Sequence, residues 1–204
     1  KSVESIGSYA FSNCSSLSSV VIPAGVTSIG VRAFAFSSSL SEVVIPDSVT
    51  SIGMDAFRSC KRLSSVVIGD SVESIGIAAF RDCSSLSSVT FGENSKLESI
   101  GEEAFRACTS LSSIVIPDNV TSIGYNAFGR SSLESLTFTH TESSDEITLE
   151  QFAFDRCIGL ETINFGTGNM IMKTSCFYRC TSLQSVNLTN TITFEGSTPG
   201  DIGQ

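Results

Sequence analysis

A repeated pattern of about 23 residues runs along the whole chain and restricts what it can fold into. In the copy from Ile52 to Val72 it reads I-G-x-x-A-F-x-x-C-x-x-L-x-x-V-x-I-x-x-x-V. Copies at one period indicate a solenoid, because each repeat can bury its apolar face only against its neighbours. The phenylalanine of the Ala-Phe pair marks the register at nearly equal spacing, and we expect these rings to stack in the core, Phe57, Phe80 and Phe105 among them. The full set is Phe11, Phe34, Phe57, Phe80, Phe105, Phe128, Phe154 and Phe177.

Two periodicities divide each repeat. Val66 and Ile68 alternate with a residue between them, which predicts a strand with both side chains on one face. Apolar residues recur every three positions over 56–63, which predicts a short helical or 3₁₀ turn. The sequence therefore predicts a right-handed α/β solenoid, since parallel strands joined by short crossovers take that hand. We expect one parallel sheet containing Val20–Ile22, Val43–Ile45, Val66–Ile68, Val89–Phe91, Ile114–Ile116, Leu136–Phe138, Ile163–Phe165 and Val186–Leu188.

The form of the repeat resembles the BspA-like (Treponema pallidum type) leucine-rich repeats. The motifs that carry the resemblance are I-G-x-x-A-F-x-x-C-x-x-L and P-x-x-V-T-S-I, and it covers roughly residues 2–194. It implies a leucine-rich repeat solenoid with the sheet on the concave face and the short helical or 3₁₀ turns on the convex face. It also implies surface or secreted proteins that bind partner proteins, with no catalytic residues to carry over. We expect one solenoid over residues 1–196, with its end repeats cut by the chain termini, and a polar tail over 197–204.

The composition disfavours several functions. The net charge of −9 argues against binding to the backbone of DNA or RNA. A membrane span needs an apolar run of roughly 18 residues or more, and the sequence has none, so we expect no insertion into a membrane. The only histidine, His140, is expected to be exposed in a loop, and no base and orienting group accompany the many serines. We therefore expect no enzymatic activity, no metal site and no cofactor.

The cysteines follow the repeat. Cys176 stands at the usual alanine position, whereas the other six share one position and are expected to stack in the core as small apolar side chains. No C-x-x-C pair exists to converge on a metal, although disulfides and a metal site stay open as alternatives. We predict reduced, buried and unreactive thiols at Cys60, Cys83 and Cys108.

Two rows of charge run along the solenoid. Each has two interpretations: a solvated edge that keeps the array soluble, or a stripe that binds a partner. Calcium on the acidic row is disfavoured, because single carboxylates one repeat apart lack 6–8 clustered oxygens. The acidic row is Asp47, Asp70, Glu93 and Asp118; the basic row is Arg58, Arg81, Arg106, Arg130, Arg156 and Arg179, with Asp82, Glu102 and Asp155 as expected counterions.

The candidate partner-binding surface consists of outward strand positions that the core does not use. A turn over 139–146, about four residues longer than the others, is expected to border it; solenoid insertions fall on one edge, often a binding edge, and neutral drift is the alternative. We predict a protein partner that lies across the strands and touches this turn. The residues are Glu42, Val44, Ser65, Val67, Ser88, Thr90, Ser113, Val115, Ser135, Thr137, His140, Glu142, Thr162 and Asn164.

Two functions follow from these observations. The first is a non-enzymatic protein–protein interaction module, the ligand-binding or adhesion region of a surface or secreted leucine-rich repeat protein. The second is a structural spacer or an intracellular scaffold segment of a larger protein. The first places the chain outside the cell or on its surface, and the second places it in the cytoplasm.

Overall fold

The computed structural model describes residues 2–141, 145–186 and 191–195, which form a parallel β-solenoid of about eight coils. We number the coils by the phenylalanines of the repeat, from Phe11 in the first coil to Phe177 in the eighth. Six longer strands follow the predicted pattern: β3 Glu42–Ile45, β5 Ser65–Ile68, β7 Ser88–Phe91, β9 Ser113–Ile116, β11 Ser135–Phe138 and β13 Thr162–Asn164. Nine others, mostly of two residues, pair in a separate sheet: β1 Ser5–Ile6, β2 Ser28–Ile29, β4 Ser51–Ile52, β6 Ser74–Ile75, β8 Ser99–Ile100, β10 Ser122–Ile123, β12 Ile147–Leu149, β14 Met170–Lys173 and β15 Ile192–Glu195.

The longer strands form two sheets of three, β3-β5-β7 and β9-β11-β13, and the expectation of one sheet was wrong. The amides of Gly69 and Gly92 each donate to the preceding coil, at 2.9 and 3.0 Å. Pro46 and Pro117 stand at the same repeat position and have no N–H to donate. A new sheet therefore begins in each coil that carries the proline.

Two of the predicted strands need correction. Val20–Ile22 is not a strand, because the coil after it carries Pro46 and no ladder joins the two. The strand expected at Ile163–Phe165 lies one residue earlier, at Thr162–Asn164. The strand expected at Val186–Leu188 lies partly outside the described residues. The right-handed coiling and the concave position of the longer strands stay predictions.

The predicted helical and 3₁₀ turns are wrong, and no helix occurs in the described residues. In the third coil, Asp55 and Ser59 have φ angles of 55° and 58° on either side of Phe57, in the left-handed region. Alternate amides bond in different directions: Arg58 donates back to Asp55 at 3.0 Å, whereas Phe57 donates to Ala79 of the next coil at 2.7 Å. The period of three thus reflects a stacked turn, in which half of the amides join neighbouring coils.

The core is a column of phenylalanine rings, as predicted. Successive rings stack with centroids 5.1–5.2 Å apart and planes within 9° of parallel. Rings from Phe34 to Phe154 in this column are fully buried, whereas Phe11 in the first coil is 40% exposed. Each buried ring removes about 150–250 Å² from water, so the column is a large part of the stabilising burial.

Candidate functional site

The outward side chains of the longer strands form one surface, which we call the strand face. Strand register aligns them in columns, because residues in parallel strands stack side by side. The register therefore groups twelve predicted residues in two sets of six. The first set is Glu42, Ser65, Ser88, Val44, Val67 and Thr90; the second is Ser113, Ser135, Thr162, Val115, Thr137 and Asn164.

Three exposed valines lie in one outward column of this face, whose other three positions are polar. Val44, Val67 and Val115 are 60%, 43% and 52% exposed, and Thr90 occupies the same position between the last two. Their neighbours in the strands, Val66 among them, point inward and are buried. Exposed aliphatic side chains on a ladder of hydrogen-bonded strands make a rigid surface that can bury apolar area against a partner.

His140 does not lie where the sequence analysis expected it. Its side chain is only 2% exposed, and Nδ1 lies 3.2 Å from the main-chain oxygen of Asp118. The Thr167 amide donates to the His140 oxygen at 3.0 Å, and a Cβ at Gly168 would come within 2.1 Å of the imidazole. The next coil thus covers the imidazole ring, which is not accessible to a partner. Glu142, predicted beside it, lies outside the described residues.

Most carboxylates of the acidic row accept a hydrogen bond from the main chain of the following coil. One carboxylate oxygen of Asp47 accepts the Asp70 amide at 3.0 Å, and Asp70 in turn accepts the Asn94 amide at 3.1 Å. Each carboxylate thereby satisfies a main-chain donor of the following coil. Glu93 makes no such bond within the described residues and is exposed. In that part of the chain, no group of three or more histidine, cysteine or acidic residues is arranged to hold a metal ion.

Most arginines of the basic row are paired with carboxylates of their own or neighbouring coils. Asp55 is buried; its Oδ2 lies 3.0 Å from Nε of Arg32, and its Oδ1 lies 3.5 Å from Nη1 of Arg58. In the next coils, Glu103 pairs with both Arg81 and Arg106. Four of the six arginines of the basic row thus have a carboxylate partner, and within the described residues Arg130 and Arg179 have none.

Two of the three predicted counterions are correct. Oδ2 of Asp82 lies 3.5 Å from Nε of Arg81, and Oδ2 of Asp155 lies 3.7 Å from Nε of Arg156. Glu102 is exposed and was the wrong choice, because it is Glu103, in the left-handed conformation, that pairs with the arginines.

The thiols predicted to be free and buried are so. Cys60, Cys83 and Cys108 are free and completely inaccessible, whereas Cys14 in the first coil is exposed. Burial raises the pKa of Cys60 to about 12 and raises the pKa of Cys83 well above its usual value. The nucleophilic thiolate is therefore suppressed at neutral pH.

A cleft on the strand face was missed by the sequence analysis. It opens between β7 and β9, where the ladder stops, and its volume is about 720 Å³. Phe91, Val115 and Pro117 supply apolar lining, and Glu93 and Asp118 supply carboxylates. Two signals in the sequence point to it: the proline at position 117 and the two extra residues in the turn before the fifth repeat.

Stacked coils of nearly one length, each with a parallel strand and a leucine-bearing turn, define a leucine-rich repeat solenoid. Residues 1–96 and 93–198 match the family described as BspA type leucine rich repeat region, in six copies. The chain therefore belongs to the BspA-type leucine-rich repeat family. No curated protein matches the sequence significantly.

Solved structures with the same fold include leucine-rich repeat proteins from two bacteria. A leucine-rich repeat protein of Treponema pallidum is 27% identical, with a TM-score of 0.73, over 82% of this chain and 78% of that one. A leucine-rich repeat protein of Bacteroides ovatus is 22% identical, with a TM-score of 0.57, over 94% of this chain and 58% of that one. Within the described residues, nothing forms an apolar helix of the length needed to cross a bilayer.

Proposed function

We propose that this chain is a non-enzymatic protein-interaction module whose partner docks on the strand face. The observation that carries the proposal is the exposure of Val44, Val67 and Val115 at one outward position of two hydrogen-bonded sheets. Polar columns beside it, such as Ser65 and Ser88, offer hydroxyl groups to a partner. A broad face of this kind suits another protein better than a small molecule, which usually needs a concave pocket.

The proposal extends to the setting of the module. A ligand-binding or adhesion role in a surface or secreted protein agrees with the family resemblance, and one solenoid over residues 1–196 followed by a polar tail agrees with the repeat. A structural spacer or an intracellular scaffold segment is the second candidate, and ion pairs that join neighbouring coils, such as Arg32 with Asp55, agree with it. A spacer needs stable coils, but it gives no reason for exposed valines on the strand face.

The first experiment identifies the partner. A photoreactive amino acid placed at Val67 on the strand face should crosslink to a protein partner, because this side chain is 43% exposed. The same probe at Ile77, which is 46% exposed on the turns, is the matched control and should crosslink weakly. A spacer predicts no specific product from either position.

The second experiment tests the face with that partner. Ser65→Arg, Ser88→Arg and Ser113→Arg together place three bulky cations on the outward positions without touching the core. We expect at least about a tenfold loss of affinity, since desolvated charges at the centre of an interface are costly. The control makes the same charge change at exposed turn positions, with Met54→Arg, Ile77→Arg and Gln151→Arg together. Full-strength binding by a folded strand-face variant would overturn the proposal.

A further inference from the structure

At the cleft between β7 and β9, one main-chain hydrogen bond that joins other neighbouring coils is missing. The Ser64 amide donates to Ser41 at 2.8 Å and the Ser87 amide donates to Ser64 at 2.9 Å. The equivalent Ser112 amide makes no such bond to Ser87 in the described residues. The fourth and fifth coils are therefore separated on this face, although the Phe80 amide still donates to Ala104 on the turns at 2.8 Å.

The separation turns main-chain groups toward the cleft. In β7, the amide of Ser88 donates to the preceding coil, and so does the amide of Gly92 just after the strand. Main-chain groups of a strand alternate between its two neighbours, so those of Val89 and Phe91 point away from β5 and toward β9. No ladder receives them, because β7 is an edge of its sheet. β9 lies across the cleft with some of its Cα atoms within 8 Å of those of β7, so a further strand, which needs about 4.8 Å on each side, does not fit between them. The amides of Val89 and Phe91 are instead left in the lining of the cleft without a ladder partner.

The surroundings of the cleft are acidic. A second depression of about 410 Å³ adjoins it and shares Lys96 and Asn119 in its lining. Among the described residues that line the two, Lys96 is the single cation. The carboxylates are Glu93, Asp118, Glu73, Glu98 and Asp145.

We propose that the cleft binds an extended segment of a protein partner that carries lysine or arginine side chains. The segment lies in an extended conformation along the mouth of the cleft, over the main-chain groups of β7 that have no ladder partner, and places apolar side chains on Phe91, Val115 and Pro117. Its cations face the carboxylates at the rim, of which exposed Glu93 is the least engaged. This inference rests on the proposed function and names the part of the strand face that selects the partner.

The test uses short capped peptides as probes. One alternates lysine with valine, and its control alternates glutamate with valine; both are titrated into the full chain by calorimetry at low and at high salt. We expect the lysine peptide to bind and to lose affinity in salt, because screening weakens charge attraction. Hydrogen exchange should show new protection at the amides of Val89 and Phe91. No detectable binding of the lysine peptide, or equal binding of both peptides, would overturn the proposal.

A matched pair of variants locates the site. Glu93→Lys should weaken the lysine peptide by about fivefold, whereas Glu102→Lys, the same charge change at an exposed turn residue, should not. Equal effects would mean general charge attraction and would contradict the cleft. The crosslink from Val67 reports on the strand face separately: if it persists while the peptide protects no amide of β7, the proposed function stands and the cleft assignment fails.

Discussion

The thiol of Cys83 donates a hydrogen bond to the main-chain oxygen of Phe57 in the preceding coil, with 3.1 Å between Sγ and O. Cys60 makes the same contact with Phe34 at 3.2 Å. Where the repeat has Ser37 instead, its hydroxyl donates to the Phe11 oxygen at 2.7 Å. The position therefore requires a small buried donor, and sulfur is one of two ways to supply it.

The first prediction compares two replacements of Cys83. Cys83→Ala removes the donor and should lower the free energy of unfolding by about 1–2 kcal/mol, because a buried carbonyl loses its partner. Cys83→Ser keeps a donor, as at Ser37, and should be less destabilising than alanine. Urea unfolding under reducing conditions measures both. If serine proves the worse replacement, the thiol acts only as an apolar side chain.

Alkaline pH should destabilise the protein through its buried thiols. Because burial raises the pKa of Cys60 from 9.0 to about 12, the folded state keeps a proton that the unfolded chain releases above pH 9. The contribution of these thiols to the free energy of unfolding is thus fully present below pH 9. It falls as the pH rises toward 12, by up to about 1.4 kcal/mol per pH unit for each such thiol. Urea unfolding at several pH values measures the slope. Serine at positions 60, 83 and 108 should make it shallower, and an unchanged slope would show that other groups cause the loss.

The phenylalanine column should respond according to burial. Phe80→Ala should destabilise by about 3–5 kcal/mol, since it leaves a cavity between two stacked rings. Phe11→Ala is the matched control: this ring is 40% exposed and stacks on Phe34 alone, so its loss should cost less. Chemical denaturation of the two variants decides, and a similar cost for both would contradict the importance of the enclosed stack.

The glycines that follow the short strands should tolerate substitution unequally. A Cβ at Gly76 would lie 2.6–2.8 Å from main-chain atoms of the preceding coil, whereas a Cβ at Gly7 meets nothing within 4 Å. Gly76→Ala should therefore force neighbouring coils apart and lower the melting temperature markedly, and Gly7→Ala should change it little. Thermal unfolding followed by circular dichroism measures both. A harmless alanine at position 76 would show that the coils can separate there without loss.

The sequence alone determined the solenoid and the inward and outward residues of most longer strands. The spacing of Phe57 and Phe80 marks one position in successive coils, and those rings stack as expected. Val66 and Ile68 are buried while Val67 is exposed, as alternation predicts. These properties follow from the alternation within a strand and from the nearly constant length of the repeat, both of which can be read along the chain without knowing which coils are in contact.

Only the tertiary structure decided the rest. Two-residue strands such as Ser51–Ile52 contain no alternation, so their sheet arises from pairing with coils on either side. A period of three is the same for a 3₁₀ turn and for a stacked turn with Asp55 at positive φ, and bonds to the next coil distinguish them. His140 is buried because the following coil closes over it, and the cleft lies where the fourth and fifth coils form no ladder. Each of these outcomes depends on contacts between residues 22 or more positions apart, which no local pattern specifies.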